Sequence, residues 1–239
     1  MAQHVLWQHA SCRAFEDADP QSSGRRYTPA MPHGRTIREI EVKLRIADLP
    51  GLLARLQRLG AACHGRVFEQ NTLYDTADEA FRRRGRLLRV RSESPAPRPG
   101  IRGGRPRAVL TAKAPVPNLG SRYKEKLERE LLIRSPGRWA GTLRSLGFQP
   151  GFSYEKYRTT FRLPGLHLDV DETPVGNFLE LEGSQKAIDR SARALGFSPR
   201  DYFRGTYWDL FQQACRRRGR SGKNMCFSRK KLSKPALFS

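Results

Sequence analysis

Between Arg38 and Arg45 charged and apolar residues alternate one by one, with Glu39, Glu41 and Lys43 on one side and Ile40, Val42 and Leu44 on the other. Successive side chains of a strand point to opposite faces, so residues two apart share a face. The alternation returns at Arg89/Arg91, Thr111/Lys113, Glu128/Glu130, Lys156/Arg158, His167/Asp169/Asp171 and Glu180/Glu182, where the alternates are largely Ile, Val, Leu and aromatic residues. A sheet with one face in water also has a polar face, but it usually mixes in Thr, Ser, Gln and Asn. Here the charges come in like-signed pairs. Such pairs repel, and need a ligand or an opposite strand to offset them.

The rest of the chain supports a closed sheet. Asp48 caps a helix carrying Leu49, Leu52, Leu53, Leu56 and Leu59, with Gly60 as its stop. Strand-like runs follow at Asn71–Tyr74, Leu87–Arg91, Ala108–Lys113, Glu128–Ile133, Ser153–Phe161, Leu166–Asp171 and Asn177–Leu181. Ser135 and Pro136 begin a second helix, stopped by Gly147; further helices fall at about 184–195 and 207–215. A strand with a Glu-x-Glu pair, a helix and a Leu-Gly end thus occur twice, at 39–60 and 128–147, as expected of two related halves. Strands dominate without a βαβ rhythm. The expected class is α+β, an eight-stranded antiparallel β-barrel with helices packed outside.

Three segments fall outside this pattern. Residues 1–34 have no sustained periodicity and read as a loose extension. Ser92–Arg107, rich in Pro, Gly and Arg, reads as a long mobile hairpin connection. From Arg216 to the end there are nine bases and no acid, expected to be a disordered tail able to touch polyanions. The ordered domain is therefore expected over 36–213.

The whole chain carries 45 Lys+Arg against 23 Asp+Glu, a net charge of +22, which favours polyanionic ligands without choosing among them. Cys12, Cys63, Cys215 and Cys226 are scattered, without metal-ligand spacing, and are expected to be free thiols. With no apolar run long enough to span a bilayer and no signal-peptide core, a soluble cytoplasmic protein is expected, with no membrane partner. Its oligomeric state is not legible.

A barrel lined by the charged faces sets acids against bases across a narrow cavity. Paired carboxylates are hard oxygen ligands for Mg²⁺ or Mn²⁺, and paired Arg and Lys suit phosphate oxygens. Both together describe a site for a metal and a triphosphate.

At this point the residues resemble a family. Glu39-Ile40-Glu41-Val42-Lys43 is similar to the ExExK signature of the CYTH superfamily of triphosphate tunnel proteins. Asn71-Thr72-Leu73-Tyr74-Asp75-Thr76, Leu88–Arg91, Leu110–Lys113, Lys126–Glu130, Lys156-Tyr157-Arg158, Leu168-Asp169 and Gly176–Glu182 follow in the family's order. That superfamily contains class IV adenylate cyclases, thiamine triphosphatases and inorganic triphosphatases. The resemblance implies divalent-metal ligation by Glu39, Glu41, Glu180 and Glu182, with Asp169 or Asp171. It implies triphosphate contacts from Lys43, Arg89, Arg91, Lys113, Lys156 and Arg158, with Arg204, Glu128 and Glu130 also at the substrate. Two departures stand out. Asp169 and Asp171 share a face and compete for one position. Arg204-Gly205-Thr206-Tyr207 replaces the family's Lys-x-Ser-Tyr, putting a permanent cation where a lysine could act as base.

Three functions remain open. Hydrolysis of tripolyphosphate, a nucleoside triphosphate or another organic triphosphate asks least of a nucleoside pocket and comes first, with Lys43 as base or water positioner. Cyclisation of ATP to cyclic AMP and pyrophosphate is the alternative. A non-catalytic polyphosphate or RNA binder is the third, opposed by the acidic pairs, which repel a polyanion unless a metal intervenes. Arg89→Ala and Arg91→Ala are each expected to raise the apparent KM for triphosphate by at least about tenfold, while thermal stability stays level or rises through relief of the repulsion between the two.

Overall fold

The computed structural model describes residues 36–117 and 121–228; the expected N-terminal extension lies outside them. Its strands are β1 (Ile37–Ile46), β2 (Ala62–Asp75), β3 (Leu87–Pro95), β4 (Arg107–Pro115), β5 (Lys124–Ile133), β6 (Gln149–Leu163), β7 (Leu166–Thr173), β8 (Gly176–Gly183) and the short β9 (Asn224–Met225). The helices are α1 (Leu49–Arg58), α2 (Ala80–Arg83), α3 (Pro136–Ser145), α4 (Gln185–Ala194) and α5 (Tyr207–Arg217).

Eight strands close into one antiparallel ring, β2-β3-β4-β5-β1-β8-β7-β6, with β6 pairing back onto β2. Exchanging each strand for the one four places along the chain reproduces the same ring, which is the two-half architecture expected from the repeated strand–helix unit. The expected barrel is therefore present. Closure also leaves the eight main strands without a free edge.

The barrel is apolar outside and charged inside. Val42, Leu44, Ile46, Leu168, Val170, Leu179 and Leu181 point outward from β1, β7 and β8. They pack under Leu49, Leu52 and Leu56 of α1 and Ile188, Ala192 and Leu195 of α4. Asp48 caps α1 by accepting from Gly51 N at 2.9 Å, and Ser184 caps α4 through Ala187 N at 3.2 Å. A second cluster, Tyr74, Val90, Ala108, Ile133 and Leu143, lies under α3. A third, of Phe152, Tyr154, Phe178, Tyr207, Leu210 and Met225, forms a floor at the barrel end crossed by α5. Thr206 and Asp209 form a reciprocal capping box that fixes the start of α5.

Two expectations are corrected. The β3–β4 connection is docked, not loose. Arg66 N donates to Arg102 O at 3.0 Å, and Ala96 N and Gly104 N donate to Arg66 O at 3.2 and 2.9 Å. Below it the Arg66 guanidinium pairs with Glu172 at 3.1 Å, and Arg98 reaches the same carboxylate at 2.9 Å. Gly104 permits the approach, since a Cβ there would stand 2.5 Å from Val67 Cγ1.

The basic segment after Arg216 is also ordered as far as Ser228. α5 runs to Arg217, and β9 pairs in parallel with Ser153 and Tyr154 of β6. Met225 is 1% exposed and Phe227 packs 5.3 Å from the Tyr157 ring. Charge counting hid the two apolar anchors. The part of the expected tail beyond Ser228 lies outside the described residues. No helix among those described is long and apolar enough to cross a membrane.

Candidate functional site

Register decides which charges meet. Glu41 of β1 lies opposite Glu182 of β8 and Lys124 of β5, and Lys43 lies opposite Glu180. Arg158 of β6 faces Asp171 of β7, and Thr111 of β4 faces Arg89 of β3 and Glu130 of β5. Directly opposed residues in an antiparallel pair share a face, so these side chains converge inside the barrel. Glu39, Glu41, Lys43, Arg89, Arg91, Lys113, Glu128, Glu130, Lys156, Arg158, Asp169, Glu180, Glu182 and Arg204 line one cavity of about 2570 Å³. Asp171 does not line it.

Bases from β3, β4 and β6 make one side of the lining. Arg89 donates to Tyr154 Oη at 3.3 Å and Thr111 Oγ1 at 3.2 Å. Arg91 spans three carboxylates, Glu69 at 3.5 Å, Glu93 at 3.1 Å and Glu130 at 3.2 Å. The pair is therefore not a repulsive one, as its sequence suggests, but is embedded in acid. Lys113 holds both oxygens of Glu39, at 2.7 and 2.6 Å, and reaches Glu128 at 3.2 Å. Burial works against the Lys113 charge, but Glu39, Glu128 and Glu41 outweigh it and drive its pKa up.

Acids from β1, β7 and β8 make the other side. Burial pushes Glu39 up and Lys113 pulls it back; with Glu41, Glu128 and Glu182 adding repulsion it stands at about 8. Burial likewise raises Glu182, against His167 and Lys113. For Glu41 the burial cost is outweighed by Lys124, with which it pairs, and it is held at about 2. Lys43 and Arg158 overcome burial at Glu180, which they pair with, and hold it well below the usual range. As placed, each of these pairs is internally compensated, and no three His, Cys, Asp or Glu side chains among the described residues converge closely enough to hold an ion.

The two competing aspartates separate clearly. Asp171, 0% exposed, accepts from Arg158 Nε at 2.7 Å, Arg158 Nη2 at 2.6 Å, Lys156 Nζ at 2.9 Å and Tyr207 Oη at 2.5 Å. It is committed to the floor. Asp169 accepts from Thr160 Oγ1 at 2.7 Å and pairs with Arg158 Nη1 at 2.7 Å and His167 Nε2 at 2.9 Å, and lines the cavity.

Four lining groups escaped the sequence reading. Glu69, 0% exposed, sits within 3.5 Å of Arg91 and Lys156 and 3.6 Å of Arg158. Burial raises its pKa, but these bases win and hold it at about 2. Its place two residues before Asn71 was the available signal. Lys124 extends the Lys126/Glu128 alternation by one step. Glu93 continues Arg89/Arg91 in the same way, and Tyr207 stands in the Arg204–Tyr207 motif but was given no role at the site. On the β2–β3 side, Asn71 Oδ1 and Arg89 Nε are buried without a hydrogen-bond partner among the described residues. Such atoms are costly unless something polar meets them.

The comparisons with known proteins agree with this fold. The family model of the CYTH domain matches residues 38–198. A Methanocaldococcus jannaschii protein, provisionally named an adenylate cyclase, is 24% identical over 158 residues, 66% of this chain and 83% of its own. A Pyrococcus horikoshii structure superposes with a TM-score of 0.61 at 21% identity, covering 73% of this chain and 98% of its own. A Hippeastrum structure, described as an adenylyl cyclase candidate with a dominant triphosphatase activity, gives a TM-score of 0.52 at 18% identity, covering 77% and 97%. At these identities the two structures speak for the fold.

Proposed function

This chain belongs to the CYTH family, and on that premise we propose that it is a divalent-metal-dependent enzyme that hydrolyses a triphosphate inside the barrel. One observation carries the reading. Arg89, Arg91, Lys113, Lys156 and Arg158 face Glu39, Glu41, Glu180 and Glu182 across a single cavity. A phosphate chain needs the first set and a hard cation the second.

The chemistry of the donor set fits Mg²⁺ or Mn²⁺, and its carboxylates, which do not converge as placed, would close on the ion. Every candidate ligand is a carboxylate oxygen, and the burial that lifts Glu39 and Glu182, with repulsion from neighbouring carboxylates added, is what a divalent cation offsets. Glu39, Glu41, Glu180, Glu182 and Asp169 would hold it; Asp171, already filled by three donor side chains, is left out. Bound there, it would polarise phosphate oxygens and lower the barrier to attack by water.

The chain's own residues do the remaining work. Lys113 and Lys124 turn from Glu39 and Glu41 toward phosphate oxygens. Arg89 and Arg91 clamp the chain from the β3 side, giving Arg89 Nε an acceptor. Water adds to phosphorus as the anhydride P–O bond breaks, its proton passes to a phosphate oxygen, and the charge growing on the departing phosphate is met by Arg158 and Lys156. Lys43, paired with Glu180, serves as a donor that positions water or a phosphate oxygen rather than as a base. The working unit runs from 36 to about 228, because β9 and Phe227 belong to it.

Cyclisation of ATP is the second reading, supported by the name of the Methanocaldococcus jannaschii relative. The test is a screen of tripolyphosphate, ATP and thiamine triphosphate with Mg²⁺ or Mn²⁺, with products separated by ion chromatography. Metal-dependent release of orthophosphate is expected. Cyclic AMP and pyrophosphate from ATP would move the chain to cyclisation. Metal-independent, salt-sensitive binding without turnover would make it a binding module.

A further inference from the structure

Tyr207 is the first residue of α5, and its backbone is set by the Thr206–Asp209 capping box. Its ring packs 5.3 Å from Tyr154 and, edge-on, 5.9 Å from Phe178. Packing alone explains an aromatic residue here. Three contacts go further. The hydroxyl donates to Asp171 Oδ2 at 2.5 Å. The ring centroid lies 4.3 Å from Lys43 Nζ and 4.9 Å from Lys156 Nζ.

Two ammonium groups, one from β1 and one from β6, therefore lie against one ring. Both are buried, and burial removes the water that would otherwise stabilise their charges. Glu180 pairs with Lys43, and Asp171 accepts from Lys156 at 2.9 Å, but neither carboxylate is shared by both lysines at bonding distance. The ring is shared. An aromatic ring is negative on both faces and attracts each cation, and the attraction grows as the site is desolvated. The hydroxyl, held by Asp171, stops the ring from turning its edge toward them.

We propose that Tyr207 is a positioning residue whose ring fixes both Lys43 and Lys156, pre-set for phosphate oxygens. The inference rests on the reading of the barrel as a triphosphate site. Holding the pair before the ligand arrives removes part of the ordering cost of binding. A phenylalanine keeps the shared ring and loses only the hydroxyl tether. A leucine loses both.

The test is calorimetric binding of tripolyphosphate with Mg²⁺ to the full chain, alongside thermal unfolding. Tyr207→Leu is expected to weaken binding by at least about tenfold, and Tyr207→Phe to stay within about threefold of wild type. Phe152→Leu is the structural control, because Phe152 packs in the same floor against Trp208 and Phe211. It should lower the melting temperature comparably yet bind within about threefold of wild type. If Tyr207→Leu does not fold, Tyr207→Met fills the space without a ring, and the tenfold threshold applies to it. Unchanged binding in the ringless variant, or equal weakening by Phe152→Leu, overturns the inference. A wild-type protein that binds no tripolyphosphate sinks the functional reading itself, a different result from wild type and Tyr207→Leu binding alike.

Discussion

Arg91 tests whether the barrel interior is a balanced network. It is buried, and its guanidinium reaches Glu69 at 3.5 Å, Glu93 at 3.1 Å and Glu130 at 3.2 Å. Arg91→Ala strips one base from three carboxylates at once. Breaking a buried pair by deleting one partner costs roughly 3–5 kcal/mol. The loss here sits at or below the lower end, because each acid keeps another partner: Lys156 for Glu69, Arg107 for Glu93 and Thr111 for Glu130. We therefore expect a loss of about 2–3 kcal/mol, which for a domain of this size lowers Tm by about 4–12 °C. Binding should suffer separately. A charge-assisted contact to phosphate is worth about 1.5–3 kcal/mol, or about ten- to a hundredfold in affinity for tripolyphosphate. Scanning calorimetry reads the first quantity and titration calorimetry with Mg²⁺ the second. Adding Glu93→Gln to Arg91→Ala should recover part of Tm and none of the affinity. An Arg91→Ala protein with unchanged or raised Tm and intact binding would refute the argument, since it would mean the guanidinium faces water.

Three further outcomes are expected. Glu39→Gln and Glu41→Gln should each abolish Mg²⁺- or Mn²⁺-dependent turnover while cooperative unfolding persists; near wild-type rates in either would remove it from the metal set. Deleting 229–239 should leave Tm in place, whereas deleting 217–239 should lower it by several degrees, because Met225 and Phe227 leave with the segment; equal Tm for the two truncations would return this stretch to a passive tail. The third concerns pH. Glu39 stands at about 8, above its ordinary 4.5. A carboxyl raised in the folded state contributes its stability below the unfolded value and loses it as pH climbs through the folded one. Without added metal, Tm should fall between about pH 5 and 8, and Glu39→Gln should flatten that slope. A slope that survives the substitution would place its origin in other groups.

The inner faces of β1, β3, β4, β5, β7 and β8 were legible because one side of each strand is largely apolar and the other carries charge. β2 was only half legible. Around Arg66–Gln70 its outer side carries the docked connection and the Phe227 ring, so neither face shows a clean alternation. That concealed Glu69. Cross-strand partners such as Lys124 with Glu41 depend on which strands close the ring, which no local pattern states. Asp169 and Asp171 could not be separated because they share a face; what divides them is a floor that comes from residue 207, far along the chain. The segment after Arg216 was misread because a run of bases says nothing about the two apolar residues placed among them.

The ring maps onto itself when its two halves are exchanged, yet its charges do not. β1 and β5 both present glutamates, Glu39/Glu41 and Glu128/Glu130, as a copied strand would. β3 presents Arg89 and Arg91 where β7 presents His167 and Asp169, and β4 presents Lys113 where β8 presents Glu180 and Glu182. A homodimer of half-barrels could assemble the same backbone, but symmetry would force both copies to carry one sign. Tandem fusion into a single polypeptide removes that constraint and lets each copy drift on its own. The electrical polarity across this barrel is thus a property that gene duplication makes accessible and that self-association of a shorter ancestor could not supply.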